Sequence, residues 1–278
     1  MTSTNAARAA TSAAVVTWVT RRALGGVRPD HRWTRTNHRG EPVSLLEGPA
    51  VAAGLLVGSV AGGPARAAAA ASVAVVGAAT FGLVDDLSEG GRVRKGLRGH
   101  LGALARGELT TGGLKVLGIG ATSLVAAAIA LGGRQGGAGL RRVGDVVTAG
   151  ALIAASANLI NLLDLRPGRA LKAGALGAVP TLPVAGPAAA CLGATAAALG
   201  PDLAERDMLG DSGANALGAA VGTAAVLAFP PAVHRVLLAA AVGLTLASER
   251  VSFTEVIERT PALRAVDRWG RRPLGDQR

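Results

Sequence analysis

Aromatic and charged side chains are both scarce in this sequence. Of its 278 residues, 2% are aromatic and 17% are charged, whereas 50% are hydrophobic. Soluble domains usually carry about 25% charged residues, because polar side chains must cover the surface that faces water. This shortage, together with a mean hydropathy of +0.39, argues against a soluble globular protein. The lipid bilayer is the expected solvent for most of the chain.

Cysteine is nearly absent as well. Cys191, the single example, lies in an apolar stretch, which excludes a disulfide framework and a cysteine-based zinc site. Basic residues outnumber acidic ones by 29 to 18, a balance that in a soluble protein would indicate nucleic acid. No helix-turn-helix or aromatic RNA-binding pattern accompanies this charge, so we expect no nucleic-acid partner. Loops facing the cytoplasm and attraction to anionic membrane lipid account for the charge.

Apolar segments rich in small residues make up most of the chain. Nine are visible: residues 9–24, 48–63, 67–84, 113–132, 146–163, 170–184, 185–199, 213–229 and 232–247. Helix is the expected structure for each, because backbone amides in lipid must be paired internally. The sequence therefore predicts an all-α fold, a polytopic membrane helix bundle of about nine transmembrane helices. Residues 1–248 form this bundle, and residues 249–278 form a basic cytoplasmic tail interpreted as an interfacial helix.

Basic residues orient the predicted bundle. They concentrate in residues 21–40, in residues 92–106 and in the tail after residue 248. Counting helices places all three parts on one side, which the positive-inside rule identifies as the cytoplasm. This predicts a multi-pass protein of the bacterial cytoplasmic membrane, with its N-terminus outside and its C-terminus in the cytoplasm. Arg134, Arg141 and Arg142 fall on the other side and disagree with this orientation.

Acidic and amide side chains gather at the ends of three apolar segments. They are Asp85 with Asp86, the series Asn158, Asn161 and Asp164, and Asp211 followed by Ser212. The predicted topology places all of them on the cytoplasmic face, where they define an expected active-site cleft. Mg²⁺ prefers oxygen ligands and usually takes one or two carboxylates together with substrate phosphates. Three such groups on one face are therefore typical of a magnesium site.

Two further features fit a phosphorylated substrate. Asp211 and Ser212 stand where an apolar helix begins, and a helix start presents free amides and a positive dipole to an anion. Lys95, in a basic loop, supplies a cation for phosphate. Together these features indicate phosphoryl transfer, in which catalysis is largely positioning and charge neutralisation.

Each feature also has a plainer interpretation. The pair Asp85 and Asp86 could mark a helix end, and the amides near Asp164 could join helices by hydrogen bonds. Asp211 with Ser212 could be an N-cap, and Lys95 could be only a topology charge. A transporter is a third function class, but no internal repeat is visible and the charges lie at one face rather than at the midplane.

Four motifs, in this order, resemble a known family. They are Gly82-Leu83-Val84-Asp85-Asp86, Lys95-Gly96-Leu97, Asn158-x-x-Asn161-x-x-Asp164 and Leu209-Gly210-Asp211-Ser212-Gly213. The chain resembles the polyprenyl-phosphate N-acetylhexosamine-1-phosphate transferases, which include phospho-N-acetylmuramoyl-pentapeptide transferase. The resemblance extends over residues 35–222, and residues 37–48 loosely resemble the first cytoplasmic loop of that family.

This resemblance implies a ten-helix fold and a reaction. Family members use Mg²⁺, with Mn²⁺ as a substitute, to move a sugar-1-phosphate from a UDP-sugar to undecaprenyl or decaprenyl phosphate. The product serves the synthesis of bacterial cell-envelope glycans, and a homodimer is part of the expectation. By resemblance, Asp85 would be the base that activates the lipid phosphate, Asp86 would support it and bind metal, and Asp211 would ligate Mg²⁺. The implied substrate-binding residues are Lys95, Asn158, Asn161, Asp164, Arg166 and Ser212.

The sequence departs from the family pattern in two places. The family's Asp-Gly-x-Asp-Gly is Asp164-Leu165-Arg166-Pro167-Gly168 here, so Pro167 replaces the second acid. A late histidine-rich loop is missing, because residues 249–278 contain no histidine. Two hypotheses therefore stay open. One is a divergent transferase in which Arg166 and Arg169 hold the donor diphosphate; the other is a degenerate, non-catalytic member that binds polyprenyl phosphate as a scaffold or regulator of envelope assembly.

Overall fold

The structure is a computed structural model that describes residues 3–25, 31–88, 110–132, 139–183 and 186–273. Within these ranges the chain forms eleven helices and one short β-hairpin. The helices are α1 (Ser3–Gly25), α2 (Glu47–Gly62), α3 (Ala65–Ser88), α4 (Thr111–Leu131), α5 (Leu140–Leu163), α6 (Arg169–Ala178), α7 (Gly186–Leu203), α8 (Gly210–Ala228), α9 (Pro231–Ser248), α10 (Phe253–Arg259) and α11 (Pro261–Arg268). The antiparallel strands β1 (Thr34–Thr36) and β2 (Pro42–Ser44) lie between α1 and α2.

The prediction of an all-helical bundle is confirmed. Each of the nine predicted apolar segments coincides with one of the helices α1 to α9. In the described part of the chain, α3, α4, α5 and α9 are long and apolar enough to cross a membrane, and α2 is a shorter apolar helix. These helices support a membrane protein. Nine spans, and the side of the membrane on which each loop lies, stay predictions.

Helix α8 lies at the centre of the bundle. Fifteen of its nineteen residues are buried, and it packs against α2, α3, α5 and α7. Small residues allow these contacts: a Cβ atom on Gly222 would lie 2.8 Å from the Cα atom of Ile153 in α5. Such close approach increases van der Waals packing, which holds helices together in lipid. Helix α9 is peripheral, since only His234 and Ala241 are buried in it.

The β-hairpin is a structural element that the sequence did not predict. The side chain of Asn37 accepts two backbone amide hydrogen bonds within its turn, and Gly40 has a φ of 82°. The second strand also binds the segment before α8. The amide of Ser44 donates to the carbonyl of Arg206 at 3.1 Å, and the amide of Met208 donates back to Ser44 at 2.9 Å. The hairpin is thereby fixed at the end of the bundle where α8 begins.

Candidate functional site

Carboxylates from three helices meet at one end of the bundle. Asp85 and Asp86 lie near the end of α3, Asp164 directly follows α5, and Asp211 lies in the first turn of α8. We call these four side chains the acidic cluster. Asp164 interacts electrostatically with Asp86 and Asp211, and it faces the backbone amide of Gly210. Segments that are far apart in sequence therefore bring the predicted acids together.

Asp86 holds the beginning of α8. Its Oδ1 atom accepts a hydrogen bond from the amide of Asp211 at 3.0 Å, and its Oδ2 atom accepts one from the amide of Ser212 at 2.9 Å. The first amides of a helix have no partner within that helix, and a carboxylate at this position also opposes the helix dipole favourably. The Ser212 hydroxyl donates to the carbonyl of Ala79 in α3 at 3.2 Å. Asp86 and Ser212 together join α3 to α8.

Two glycines make this junction possible. A Cβ atom on Gly82 would lie 2.8 Å from the backbone nitrogen of Ser212 and still closer to the carbonyl of Asp211. Gly210 has a φ of 58°, a left-handed conformation that other residues rarely adopt. This turn aims the first amides of α8 at Asp86. Glycine is therefore required at both positions for the cluster to form.

Lys115 is the cation of the acidic cluster. It lies in the second turn of α4, and its Nζ atom is 2.6 Å from Oδ2 of Asp85. The same Nζ atom also forms an ion pair with Oδ2 of Asp211. All three side chains are largely buried, with exposed fractions of 18%, 9% and 18% for Lys115, Asp85 and Asp211. Two carboxylate oxygens from different helices therefore converge on one cation position.

The β-hairpin covers the cluster from another side. The Arg35 guanidinium, on β1, donates a hydrogen bond to the backbone carbonyl of Asp86. That carbonyl lies in the last turn of α3, where helix carbonyls lack partners within the helix. Arg35 thus adds a second positive group beside the acidic cluster, from an element outside the bundle.

Further acids lie next to Asp164. Asp202, near the end of α7, accepts a hydrogen bond from the amide of Gly168 at 3.0 Å and fixes the loop that follows Asp164. Glu47, the first residue of α2, is 0% exposed and interacts electrostatically with Asp164, Asp202 and Asp207. Neither carboxylate oxygen of Glu47 has a hydrogen-bond partner among the described residues. The negative surroundings of Asp164 therefore extend to α2 and α7.

The remaining predicted site residues have different surroundings. Asn158 donates a hydrogen bond to the Thr245 hydroxyl of α9 at 3.2 Å, which joins two helices. Asn161, on the last turn of α5, is partly buried one turn before Asp164. Lys95 lies outside the described residues. Asn161 thus stays near the cluster, whereas the contact made by Asn158 matches the interhelical interpretation.

Arg166 lies in a basic neighbourhood formed by three segments. Its charge acts on His38 of the hairpin and on Arg271 after α11. Partial burial, followed by the charge of Arg166, lowers the pKa of His38 below its usual value. Among the described residues, the Arg166 guanidinium makes no hydrogen bond or ion pair. It is therefore available to an anion.

Arg169 is differently placed. Its Nε and Nη2 atoms bind the two carboxylate oxygens of Asp267 at 2.8 and 3.2 Å, and its Nη1 atom binds the hydroxyl of Thr254 at 3.0 Å. Both Arg169 and Asp267 are 5% exposed. The guanidinium of Arg169 thus binds the tail helices α10 and α11. Because these bonds occupy its donors, the hypothesis that Arg169 holds a donor diphosphate is disfavoured.

The magnesium site stays a prediction, and it would need a substrate to complete it. No group of three or more His, Cys, Asp or Glu side chains in the described ranges is placed to hold a metal ion alone. Asp85 and Asp211 nevertheless direct two oxygens at the position of the Lys115 ammonium. Mg²⁺ often takes only one or two carboxylates plus substrate phosphates, so two converging oxygens are sufficient. The oxygens of Asp86 already accept helix amides, and its role as a metal ligand stays a prediction.

Sequence reasoning missed Lys115 and Arg35. Lys115 had a usable signal, because it is the one charged residue in the segment 111–131. Such a charge inside an apolar helix is a functional candidate by default. Arg35 had no such signal in the sequence. It is one of many arginines in a basic loop, and its contact with the carbonyl of Asp86 depends on the hairpin. In comparisons with known proteins, no family model matches the chain and no curated protein is significantly similar to it.

Proposed function

We propose that the protein transfers a sugar-1-phosphate from a UDP-sugar to polyprenyl phosphate in bacterial cell-envelope glycan synthesis, with Mg²⁺ as cofactor. The observation that supports this proposal is the convergence of Asp85, Asp86, Asp164 and Asp211 at one end of a membrane helix bundle. We expect a site at the end of such a bundle to be reached both by a soluble nucleotide and by the phosphate of a membrane-bound chain. Phosphoryl transfer mainly requires such positioning and charge neutralisation.

In the proposed reaction an oxygen of polyprenyl phosphate attacks the phosphorus that carries the sugar. A new phosphorus–oxygen bond forms, the bond to UMP breaks, and UMP leaves. Asp85 accepts the proton when the lipid phosphate is protonated. Lys115 interacts with negative phosphate oxygens, and Arg166 binds the donor near the loop after Asp164. Asp211, with Asp86 or Asp85, would hold Mg²⁺, which would neutralise charge on the diphosphate when bound.

Transfer of labelled sugar phosphate from UDP-sugars to undecaprenyl phosphate tests the proposal directly. We expect the purified protein to form labelled lipid only with Mg²⁺ or Mn²⁺, and Asp211→Asn to lose at least about 10²-fold in rate. Asp145→Asn is the matched control, because Asp145 lies near the start of α5, far along the helix from Asp164. Equal rates for Asp211→Asn and the parent chain would refute the role of Asp211.

The non-catalytic alternative is favoured by one observation. Arg169 is bound by Asp267, so of the two arginines only Arg166 has no side-chain hydrogen bond or ion pair with the residues that the structure describes. A scaffold of this kind would bind polyprenyl phosphate without turnover. Measuring UMP release over a panel of UDP-sugars, beside polyprenyl-phosphate binding, separates the two functions. Binding without UMP release under any condition would establish the scaffold and overturn the transferase.

A further inference from the structure

The tail helix α11 exposes apolar side chains beside its contact with the bundle. Asp267 is 5% exposed and contacts Arg169 of the bundle. Leu263 and Val266 are 48% and 49% exposed, and Trp269 follows with 67% exposed. Leu263 and Val266 are three residues apart, so they lie on the same side of the helix. Asp267 borders this side, because it follows Leu263 by four residues and Val266 by one, and every other residue of α11 is exposed.

The orientation of α11 is fixed by buried polar contacts. Asp267 is held by Arg169 and by the guanidinium of Arg271 at 2.6 Å. The Nζ atom of Lys172 donates to the carbonyls of Val266, Asp267 and Trp269 at 3.0, 3.0 and 2.6 Å, at the end of the helix where carbonyls lack helical partners. Since these bonds involve the helix start of α6, α11 cannot turn its apolar side inward while they persist.

The position of α11 in the chain indicates what covers this apolar side. Helix α9, one of the four helices suited to cross a membrane, ends at Ser248. Only residues 249–260, including the short helix α10, separate it from α11. This short connection keeps α11 near the end of α9. The ammonium of Lys172 lies over the ring of Trp269 in a cation–π contact, with Nζ 5.7 Å from the ring centroid.

Its composition matches that location. Tryptophan is enriched where membrane and water meet, and helices with one apolar and one charged face lie in that plane. Arg264 and Arg268 are exposed on α11, where both contact Glu258 of α10, and exposed arginines attract the phosphates of anionic lipid. We propose that α11 lies in the lipid headgroup region, with Leu263, Val266 and Trp269 in contact with lipid and Asp267 bound to the bundle. This inference is independent of the proposed transferase activity.

Site-specific fluorescence of the full chain in lipid nanodiscs tests the inference. Cys191, the single cysteine, is 0% exposed, so the unsubstituted protein serves as the unlabelled blank. An environment-sensitive dye is attached to Val266→Cys, and nitroxide-labelled phosphatidylcholine with the nitroxide near the headgroup is added. We expect the dye at this position to emit at shorter wavelength and to lose most of its emission to the nitroxide lipid, while iodide in water quenches it little.

Arg259→Cys is the matched control, because the Arg259 side chain on α10 is 78% exposed and charged. Its dye should be quenched by iodide and much less by the nitroxide lipid. Equal iodide quenching at both positions, with no lipid quenching at Val266→Cys, would place α11 in water and overturn the inference.

A second copy of the chain is the competing occupant of this face. Oxidation of unlabelled Val266→Cys in nanodiscs that hold two copies distinguishes it. Efficient disulfide-linked dimer formation, with a dye that nitroxide lipid does not quench, would assign the face to self-association and reject lipid. Lipid quenching without dimer formation supports the inference.

Discussion

Lys115 is one of three lysines in a chain with 29 basic residues, and it lies inside an otherwise apolar helix. Its ammonium fills the position on which Asp85 and Asp211 converge. If Mg²⁺ binds there, the ammonium must share or leave that position. The stability of a variant without the Lys115 ammonium should therefore depend on Mg²⁺ more strongly than that of the parent protein.

We expect Lys115→Met to lower the free energy of unfolding by about 3 kcal/mol in the absence of Mg²⁺. Removing one partner of a buried ion pair leaves an uncompensated charge, and here two carboxylates lose their cation. Added Mg²⁺ should restore much of this loss, because a ligand that binds only the folded state stabilises it. Thermal unfolding in detergent, followed by circular dichroism with and without Mg²⁺, measures both effects.

Arg259→Met is the control for this substitution. Its ion pair with Glu255 is exposed and lies within one helix, so the expected change is within about 0.5 kcal/mol and independent of Mg²⁺. Should Mg²⁺ leave the stability of Lys115→Met unchanged, Asp85 and Asp211 do not form a cation site.

At the scale of single residues, the acids of the acidic cluster were predictable from the sequence, but their contacts were not. Asp85, Asp164 and Asp211 stand at the ends of apolar segments, where a charge is costly without a partner or a task. Nothing in the local sequence shows that Asp86 binds the amides of α8 whereas Asp85 binds Lys115. Neighbouring residues on a helix point in different directions, and which direction meets a partner depends on packing that lies outside the segment.

Between elements, the contact of α3 with α8 determines the position of three members of the cluster. We expect Gly82→Ala to lower the free energy of unfolding by about 1 to 3 kcal/mol, because the added methyl group would overlap the backbone of Asp211 and Ser212. The same variant should lose the proposed transferase activity, since Asp86 would move away from Asp211. Thermal unfolding and the lipid-transfer assay measure the two losses.

Gly120→Ala, in α4, is the matched control. An added Cβ atom there meets nothing within 4 Å, and alanine favours helix by up to about 1 kcal/mol. Stability should be unchanged or slightly higher. A Gly82→Ala protein as stable as Gly120→Ala would mean that the two helices do not approach as closely as the structure has them.

Elements were predictable where a segment determines its own structure. The apolar segments matched α1 to α9 because a chain in lipid has few alternatives to helix. Helix α6 is shorter than its segment, since Pro180 and Pro183 lack the amide hydrogens that a longer helix would use. The hairpin was missed because its strands have three residues each and are held by segment 206–208, which lies far along the sequence.

On the scale of the whole molecule, the tail is attached through Arg169 and Asp267. We expect Asp267→Ala to release α11 and to lower the free energy of unfolding by about 3 kcal/mol, because Arg169 would stay buried without its carboxylate. Limited trypsin digestion should then cut after Arg264 and Arg268 faster than in the parent protein. The appearance of the shortened chain over time measures the release.

Glu255→Ala is the matched control, because it removes a half-exposed carboxylate from the same tail. Its digestion rate should equal that of the parent protein. Equal protection of Asp267→Ala would show that other contacts hold the tail.

The bundle as a whole follows from composition, whereas the docking of the tail does not. Asp267 and Arg169 are 98 positions apart, and each lies in a segment with several other charges. Charge patterns of this kind are compatible with many ion pairs. The sequence therefore indicated an interfacial tail but not the part of the bundle to which the tail binds. The burial of both side chains selects one pairing, because an unpaired charge at that position would be costly.

The contacts of the hairpin with the residues after α11 have a consequence for the synthesis of the protein. Arg39 donates to the carbonyls of Arg272 and Pro273, which are 233 and 234 positions later in the chain. During translation the hairpin residues leave the ribosome long before these partners exist. This surface therefore closes last, and a nascent chain stopped before residue 272 holds Arg39 through Glu205 without the two carbonyl acceptors.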